Sequence, residues 1–373
     1  MFMRLPIRTA AAVLAALALA LGAGCQHADS VRIGFLGDLI SELGVGGRNG
    51  AELAIETLNA RHGTRYELLL EDDRNDPKTA QAAVASFASR GAAFVVGPMT
   101  SEMAVAAVPE ANRRGMVMIS PTATTDELSA RDDFFFRVAA AAPAGARQLA
   151  RLLHDRGARS IVVLMDTANR AYTESFGHAA ATEFRGLAGG SATEIDYRSG
   201  NSLDFAGVIQ HVVGVPCDAV VLVSSPSDSA IVAQHLRRLA PHVVIALSPW
   251  GANVQFLQVG GRATEGAIGL QAVDLESPLP RMRDFVARYR ARFGELPATP
   301  AVQSYEAVML GVQALDRHGA KALRATLSEP GDWAGLDGAF SLDAHGDARR
   351  TLHLTEVRNG RFEPLAADAK NAR

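Results

Sequence analysis

Short, continuous apolar runs alternate with amphipathic segments along most of this chain. VRIGFLG (31–37), AAFVVG (92–97) and GMVMIS (115–120) are runs of this kind, and segments with helical periodicity lie between them. A strand that is apolar on both faces must be covered on both faces, as in a parallel sheet flanked by helices. The alternation therefore predicts an α/β fold with parallel sheets.

The alternation resumes after residue 140. Its strand-like runs are then SIVVLMD (160–166), DAVVLVSS (218–225) and HVVIALS (242–248). Two such series in a chain of 373 residues predict two doubly wound, Rossmann-like lobes. The C-terminal part departs from the pattern, because two long helical segments are followed by strands around the turn signal DAHGD.

Composition narrows the function classes. The formal net charge is −3 without a concentrated basic segment, which argues against nucleic acid and anionic membrane surfaces as main partners. The two cysteines, Cys25 and Cys217, give neither a disulfide framework nor a zinc-binding spacing. The ten histidines are scattered, and H-E-x-x-H and G-x-S-x-G are absent. The sequence therefore predicts no metal, no cofactor and no catalytic residues.

The first 25 residues are typical of an export signal. Arg4 and Arg8 precede the apolar run TAAAVLAALALALGAG, which is too short for a comfortable membrane span. Small residues then precede Cys25, as in a bacterial lipobox, although Leu21 lies one place further from the cysteine than usual. We expect a signal peptide over 1–25, with lipidation of Cys25 or ordinary cleavage as the outcome; a short anchor helix is the alternative.

Small hydroxyl residues lie within a few positions after two of the apolar runs. Ser101 comes after AAFVVG, and Thr122 and Thr124 come after GMVMIS. The carboxyl ends of parallel strands face a crevice where ligands bind, and the helices that begin there expose free N–H groups. Hydroxyls and amides that converge in such a crevice suit a carboxylate or another small anion. Serine and threonine also cap helices, so these residues alone leave a binding site and simple caps equally open.

A glycine-rich stretch, GVGGRNG (44–50), imitates a dinucleotide-binding motif. An acidic segment, EDD (71–73), follows about 20 residues later, as that motif requires. The glycines do not fit G-x-G-x-x-G, and the segment from Gly37 to Gly50 is too long for the tight turn. We interpret these glycines as a flexible loop at the crevice, with a helix beginning at Gly50.

Several motifs together resemble one known family, the periplasmic leucine/isoleucine/valine-binding proteins. These are the solute receptors of branched-chain amino acid ABC transporters, and the family also includes amide and urea binders. The resemblance extends from Val31 to about Leu365 and implies two lobes joined by three crossover segments, the type I periplasmic binding protein fold. The motifs are EDDRNDPKTA, FVVGPMTS, MISPTATTDEL, RFGELPATPAVQSYEAVMLGVQAL and DGAFSLDAHGD.

The resemblance also implies where the chain divides. Three crossovers require each lobe to be built from two segments of the chain. The expected segments are 30–140 and 273–345 for lobe 1, 141–272 and 346–365 for lobe 2, and 366–373 for a loose tail.

The resemblance implies particular ligand contacts. Ser101 matches the serine that binds the ligand carboxylate, Thr122 a backbone contact, and Thr124 a threonine hydroxyl. Tyr172 in DTANRAYTES is the nearest match to the tyrosine that closes over the ligand from lobe 2, two residues later than in the family motif. Leu43 stands where the family has a tyrosine in lobe 1.

The main departure from the family pattern is Trp250. In SPWGAN it occupies the place of the acidic residue that binds the ligand ammonium group. An indole makes no salt bridge, but it offers a cation–π contact of about 0.5–2 kcal/mol or a stacking surface for an apolar ligand. Packing beside the hinge is the alternative role. Asp228 and Glu102 are acidic residues that could replace the missing partner, although nothing in the sequence places them there.

The function implied is that of an extracytoplasmic solute-binding protein of an ABC importer. It is expected to be a periplasmic monomer, anchored to the membrane by a lipid on Cys25, that closes its lobes on a small amino-acid-like, amide or carboxylate ligand. Its protein partner is then an ABC permease and ATPase complex. A ligand-sensing receptor on the same fold is the main alternative; an exported enzyme and a structural lipoprotein rank lower.

Overall fold

The described part of the chain forms two α/β lobes. A computed structural model describes residues 30–61, 63–200 and 204–365. The predicted signal peptide with Cys25 and the predicted tail over 366–373 lie outside the described residues. Within the described ranges, no helix combines the length and the apolar character needed to cross a membrane.

Lobe 1 is built around a five-stranded parallel sheet. Its strands are β1 (Val31–Gly37), β2 (Tyr66–Asp72), β3 (Ala92–Val96), β4 (Met118–Ser120) and β5 (Phe135–Arg137). They lie in the order β2-β1-β3-β4-β5. The longer helices between them are α1 (Glu42–Asn59), α2 (Pro77–Ser89) and α3 (Ser101–Arg114). Because the strands are parallel, their carboxyl ends and the beginnings of these helices share one edge of the sheet.

Lobe 2 repeats this arrangement around a seven-stranded sheet. Its strands are β6 (Ser160–Asp166), β7 (Ser191–Tyr197), β8 (Ala219–Val223), β9 (Val244–Leu247), β10 (Ile268–Gln271), β14 (His353–Arg358) and β15 (Arg361–Pro364). They lie in the order β15-β14-β10-β9-β8-β6-β7, with β14 and β15 antiparallel to their neighbours. Its helices are α4 (Ala142–Asp155), α5 (Arg170–Gly186), α6 (Phe205–Val213), α7 (Pro226–Leu239) and α8 (Val254–Gly260).

Between β10 and β14 the chain returns to lobe 1. This segment contains α9 (Pro280–Phe293), α10 (Thr299–His318), α11 (Leu323–Ser328) and an antiparallel sheet of β11 (Gly331–Ala334), β12 (Ala339–Leu342) and β13 (Ala348–Arg349). Ala307 and Val308 of α10 pack in the same buried cluster as Ile33 and Phe35 of β1. Helix α10 is therefore part of the core of lobe 1.

Alternate residues of the central strands pack into different layers. In β1, Phe35 belongs to one buried cluster and Leu36 to another, and in β6 the same holds for Val163 and Leu164. Successive side chains of a strand point to opposite faces, so both faces of each sheet are buried. This is the arrangement that the continuous apolar runs predict, and the expected α/β fold with two doubly wound lobes is confirmed.

The interpretation of GVGGRNG as a flexible loop is wrong, because these residues form the first turns of α1. Ser41 caps the helix by accepting a hydrogen bond from the Gly44 N–H at 3.1 Å. A Cβ atom at Gly50 would lie 2.0 Å from the carbonyl oxygen of Ala301 in α10, and one at Gly47 2.5 Å from Met99 Cε. The glycines therefore allow α1 to pack closely against its neighbours.

One buried ion cluster ties the three crossover segments together. Arg350, after β13, contacts Glu306 at 2.7 Å and Asp337 at 2.6 Å. It also donates to the Val138 carbonyl, after β5, at 3.2 Å. The Asp274 N–H, after β10, donates to Asp337 at 3.2 Å. All three crossovers thus meet at the same cluster of charged groups.

The predicted limits of the lobes, 30–140 with 273–345 and 141–272 with 346–365, stay a prediction. Two observations bear on the third crossover. Strand β13 pairs with β12, and Ala348 belongs to the buried cluster of lobe 1. Both favour a crossover that begins after β13.

Candidate functional site

A cavity of about 340 Å³ lies between the lobes, at the carboxyl ends of the strands. Both lobes and the crossover segments contribute to its walls. The six residues that the sequence suggests as ligand contacts all line it: Leu43, Ser101, Thr122, Thr124, Tyr172 and Trp250. The structure therefore brings these positions together, while their contact with a ligand stays a prediction.

Ser101 holds the loop that carries Thr124. Its Oγ accepts hydrogen bonds from the Thr124 N–H at 3.0 Å and the Thr125 N–H at 3.2 Å. The capping of α3 falls to Thr100, whose hydroxyl accepts from the Met103 N–H at 3.3 Å. Because the Ser101 oxygen already accepts twice, its hydroxyl proton is the part left to donate to a ligand.

The hydroxyl groups at the end of β4 and in the loop after it divide into two kinds. Ser120 donates to the Pro98 carbonyl at 2.7 Å, and Thr122 donates to the Met99 carbonyl. These two hydroxyls fasten the loop to the end of β3. The Thr124 Oγ1 atom is instead buried without any hydrogen-bond partner. Thr124 is thus the member of the group whose hydroxyl is not needed by the fold.

Gln303 is a cavity residue that the sequence alone did not reveal. It lies on α10, is 2% exposed, and its Nε2 atom has no hydrogen-bond partner. A glutamine inside a run of buried positions, beside Val302 and Ser304, is the signal that could have identified it. It adds a hydrogen-bond donor to the wall formed by lobe 1.

Lobe 2 presents an aromatic wall. The rings of Tyr172 and Trp250 meet edge to face, with centroids 5.8 Å apart and planes at 81°. Phe176 lies next to Tyr172, with centroids 6.1 Å apart. Trp250 both lines the cavity and packs against the core of lobe 2, while its contact with a ligand stays a prediction. The wall offers apolar surface to a ligand.

The Tyr172 hydroxyl is also without a hydrogen-bond partner. Burial raises the pKa of Tyr172, and the nearby Ser248 hydroxyl and Trp250 main chain oppose this shift. They lie close to the phenol group without forming a hydrogen bond of normal geometry. Tyr172 therefore keeps its proton over the physiological pH range and can donate it to a ligand.

Negative charge is scarce around the cavity. Among the described residues that line it, Glu42 is the one ionisable acid or base other than Tyr172, and it is exposed. Partial burial and the charge of Glu295 raise its pKa. Asp228 accepts a hydrogen bond from Tyr197 at 2.9 Å and does not line the cavity. Glu102 does not line it either. Neither carboxylate therefore takes the place of the acidic residue that Trp250 replaces.

Glu102 instead takes part in a reciprocal contact between the lobes. Its N–H donates to Asn169 Oδ1 at 3.3 Å, and its carboxylate accepts from the Ala171 N–H at 3.1 Å. Asn169 precedes α5 but makes no capping bond to that helix. Each side chain thus caps the helix of the other lobe. We call Glu102, Asn169 and Ala171 the interlobe clasp; it joins the two lobes directly in this conformation.

Comparison with known proteins places the chain in a family. The family model described as periplasmic binding protein matches residues 30–361. The chain belongs to the periplasmic binding protein family. The Leu/Ile/Val-binding protein BraC3 of Rhizobium johnstonii is 27% identical over 268 residues, which cover 66% of this chain and 69% of that protein. The family resemblance noted in the sequence is thereby confirmed.

Solved structures agree on the fold. The leucine-binding protein LivK of Thermotoga maritima superposes with a TM-score of 0.82 at 23% identity, covering 90% of this chain and 98% of that one. An ABC transporter solute-binding protein of R. palustris, in complex with benzoate, gives a TM-score of 0.81 at 19% identity, covering 90% and 95%. The predicted type I periplasmic binding protein fold is therefore confirmed.

Proposed function

We propose that this protein is the extracytoplasmic solute-binding protein of an ABC importer and that it encloses a small carboxylate-bearing ligand between its lobes. The observation that carries the proposal is the interlobe cavity of about 340 Å³, which Ser101, Thr124 and Gln303 line from one lobe and Tyr172 and Trp250 from the other. A few polar groups among apolar walls are typical of a site for a small molecule.

Ligand capture works by lobe closure, without any bond being broken. A ligand that contacts both walls binds the closed conformation more tightly than the open one and therefore shifts the population towards closure. Bending takes place at the crossovers, where Arg350 anchors all three segments in lobe 1. Opening requires the interlobe clasp to separate.

The relatives' names support the class of ligand and of partner. One curated relative is named a Leu/Ile/Val-binding protein, and one structural neighbour belongs to an ABC transporter and holds benzoate. Amino acids and aromatic acids share a carboxylate, which is the group that Ser101 and Thr124 are proposed to bind. The partner is an ABC permease and ATPase complex, to which the monomeric closed form delivers the ligand.

In the cell, the protein is proposed to be periplasmic and anchored by a lipid on Cys25. The basic and apolar start of the chain and the small residues before Cys25 support this proposal. Mass spectrometry of the mature N-terminus distinguishes a diacylated cysteine from simple cleavage. A Cys25→Ala variant found in the soluble periplasmic fraction, with the wild type in the membrane fraction, is the expected result.

A thermal-shift screen of amino acids, amides and carboxylates tests the proposed function. We expect at least one carboxylate to raise the melting temperature, to bind in calorimetry, and to leave a compact, closed molecule in small-angle scattering. If no member of the panel binds, the proposal is wrong. Uptake of the bound compound into membrane vesicles that contain the partner ABC permease separates transport from a sensing role.

A further inference from the structure

Six helices of at least 14 residues begin at the cavity. They come from both lobes: α1, α3 and α10 from lobe 1, and α4, α5 and α7 from lobe 2. Residues of their first turns line the cavity, namely Glu42, Ser101, Thr299, Ala142, Tyr172 and Pro226. Each helix start carries about half a positive elementary charge. Carboxylates of Glu42, Glu102 and Asp228 in the first turns of α1, α3 and α7 offset part of this charge, whereas the starts of α4 and α10 carry no such group and favour an anion. No basic side chain is among the described residues that line the cavity.

The same cavity offers little to a cation. Its sole negatively charged side chain, among the described lining residues, is the exposed Glu42. The carboxylate of Glu102 accepts the N–H of Ala171, and that of Asp228 accepts the Tyr197 hydroxyl. An ammonium group buried here would face helix starts without a neighbouring carboxylate. Burying a charge without a partner is strongly unfavourable.

Unpaired polar atoms independently indicate where a ligand interacts. Gln303 and Tyr172 are both more than nine-tenths buried, and their Nε2 and hydroxyl atoms lack partners. The amide nitrogen can only donate, and the tyrosine keeps a proton to donate. With the Ser101 and Thr124 hydroxyls, the cavity presents a set of donors from two lobes. Such a set suits a ligand whose polar end consists of acceptors.

The remaining walls are apolar. Leu43 and Met99 of lobe 1 face the same cavity as Phe176 and Trp250 of lobe 2, and Leu352 adds apolar surface from a crossover. Pockets that bind small molecules combine such a lining with a few well-placed polar groups. The apolar surface calls for a hydrocarbon body on the ligand.

We infer that the site selects a monocarboxylate that has an apolar body and lacks an ammonium group. The inference rests on the proposed function and specifies its ligand class. Ser101, Thr124 and the start of α3 receive the carboxylate, while Gln303 supplies a further donor. Trp250 and Phe176 cover the apolar body, so the indole occupies space where an amino acid would need an acidic partner.

Matched ligands that differ at one group test the inference on the unmodified protein. The first pair is leucine and 4-methylpentanoate, and the second is phenylalanine and 3-phenylpropanoate; each pair differs by the α-ammonium group alone. Calorimetry is expected to show the ammonium-free acid binding at least about tenfold more tightly in the pair that fits the cavity. 4-Methylpentanamide and 3-phenylpropanamide, which keep the body but carry no charge, are expected to bind more weakly than their acids.

The outcomes separate this inference from the proposed function. If leucine or phenylalanine binds as tightly as its ammonium-free partner, the inference is overturned and the proposed function stands. If the amides equal the acids, the cavity does not select an anion and the inference is again overturned. If no acid, amide or amino acid of the wider panel binds, the proposed function itself fails.

Discussion

The two walls of the cavity hold a ligand by different means. Lobe 1 supplies hydrogen-bond donors from three separate elements, namely Ser101 on α3, Thr124 in the loop after β4, and Gln303 on α10. Lobe 2 supplies an aromatic surface centred on Tyr172 and Trp250. Polar groups define orientation, whereas apolar contact depends on surface area. We therefore expect lobe 1 to bind the acidic end first and lobe 2 to close over the body.

The largest expected effect is that of Thr124→Val. The change removes a hydroxyl that makes no hydrogen bond within the protein, so folding should be unaffected. A hydrogen bond to a charged group contributes about 1.5–3 kcal/mol, which corresponds to a loss of affinity of roughly tenfold to a hundredfold. Calorimetry with the best-binding carboxylate measures the loss.

Thr122→Val is the matched control for that variant. Its hydroxyl already donates to the Met99 carbonyl, so its removal should lower the melting temperature and change affinity little. Ser101→Ala is a less selective test, because its oxygen accepts from two main-chain N–H groups and the variant loses stability as well. Equal losses of affinity in the two threonine variants would contradict the assignment.

Trp250→Ala should weaken binding according to the size of the ligand body. Aromatic contacts contribute about 0.5–1.5 kcal/mol beyond the area they bury, so we expect roughly a tenfold loss for 3-phenylpropanoate. Propanoate has almost no body and should lose little affinity. Trp250→Phe serves as the control that keeps an aromatic ring. If Trp250→Ala lost the same affinity for propanoate as for 3-phenylpropanoate, the aromatic wall would not act through the apolar body of the ligand.

Asp73 makes the stability of lobe 1 depend on pH, and the aromatic wall of lobe 2 does not share this dependence. Burial, with smaller contributions from Asp38 and Asp72, raises the pKa of Asp73 to about 6. The folded protein then binds more protons than the unfolded chain between pH 4 and pH 6, so the free energy of unfolding falls as pH rises through this window. The contribution of Asp73 to the free energy of unfolding should fall by about 1 kcal/mol between pH 5 and pH 7.

Asp73→Asn should remove that slope. The asparagine oxygen can still accept the Asn75 N–H, which lies 3.0 Å from the Asp73 carboxylate. Urea unfolding at pH 5 and pH 7 compares the two proteins, and relative to wild type the variant should gain stability at the higher pH. If wild type and Asp73→Asn show the same change in the free energy of unfolding between pH 5 and pH 7, then Asp73 ionises normally in the folded state.

The smallest expected effect comes from the interlobe clasp. Asn169→Ala removes the acceptor for the Glu102 N–H and lowers the population of the closed form. A hydrogen bond contributes about 0.5–1.5 kcal/mol, so ligand should dissociate roughly two- to tenfold faster. Asp76→Ala is the control, since Asp76 caps α2 within lobe 1 and should affect stability alone. Identical dissociation rates in wild type and Asn169→Ala would exclude a role for the clasp in closure.

Local pattern determined the class of fold and three of the residues that line the cavity. The strands of both lobe cores are continuous apolar runs. Ser101, Thr122 and Thr124 were identified because they lie shortly after the ends of two of these strands. Strand β7 lacked such a run, since most of its residues are at least partly exposed at the edge of the sheet. A continuous apolar run identifies a strand only when both of its faces are buried.

Tertiary packing alone decided the other features. Gln303 lies about 200 residues after Ser101 in the sequence, and only the packing of α10 into lobe 1 brings both to one cavity. The glycines of α1 look like a loop until Ala301 is seen against Gly50. Asn169 resembles an ordinary helix cap until its partner proves to be Glu102 of the other lobe. A sequence pattern records local preferences, whereas these contacts join segments that meet only after the chain has folded.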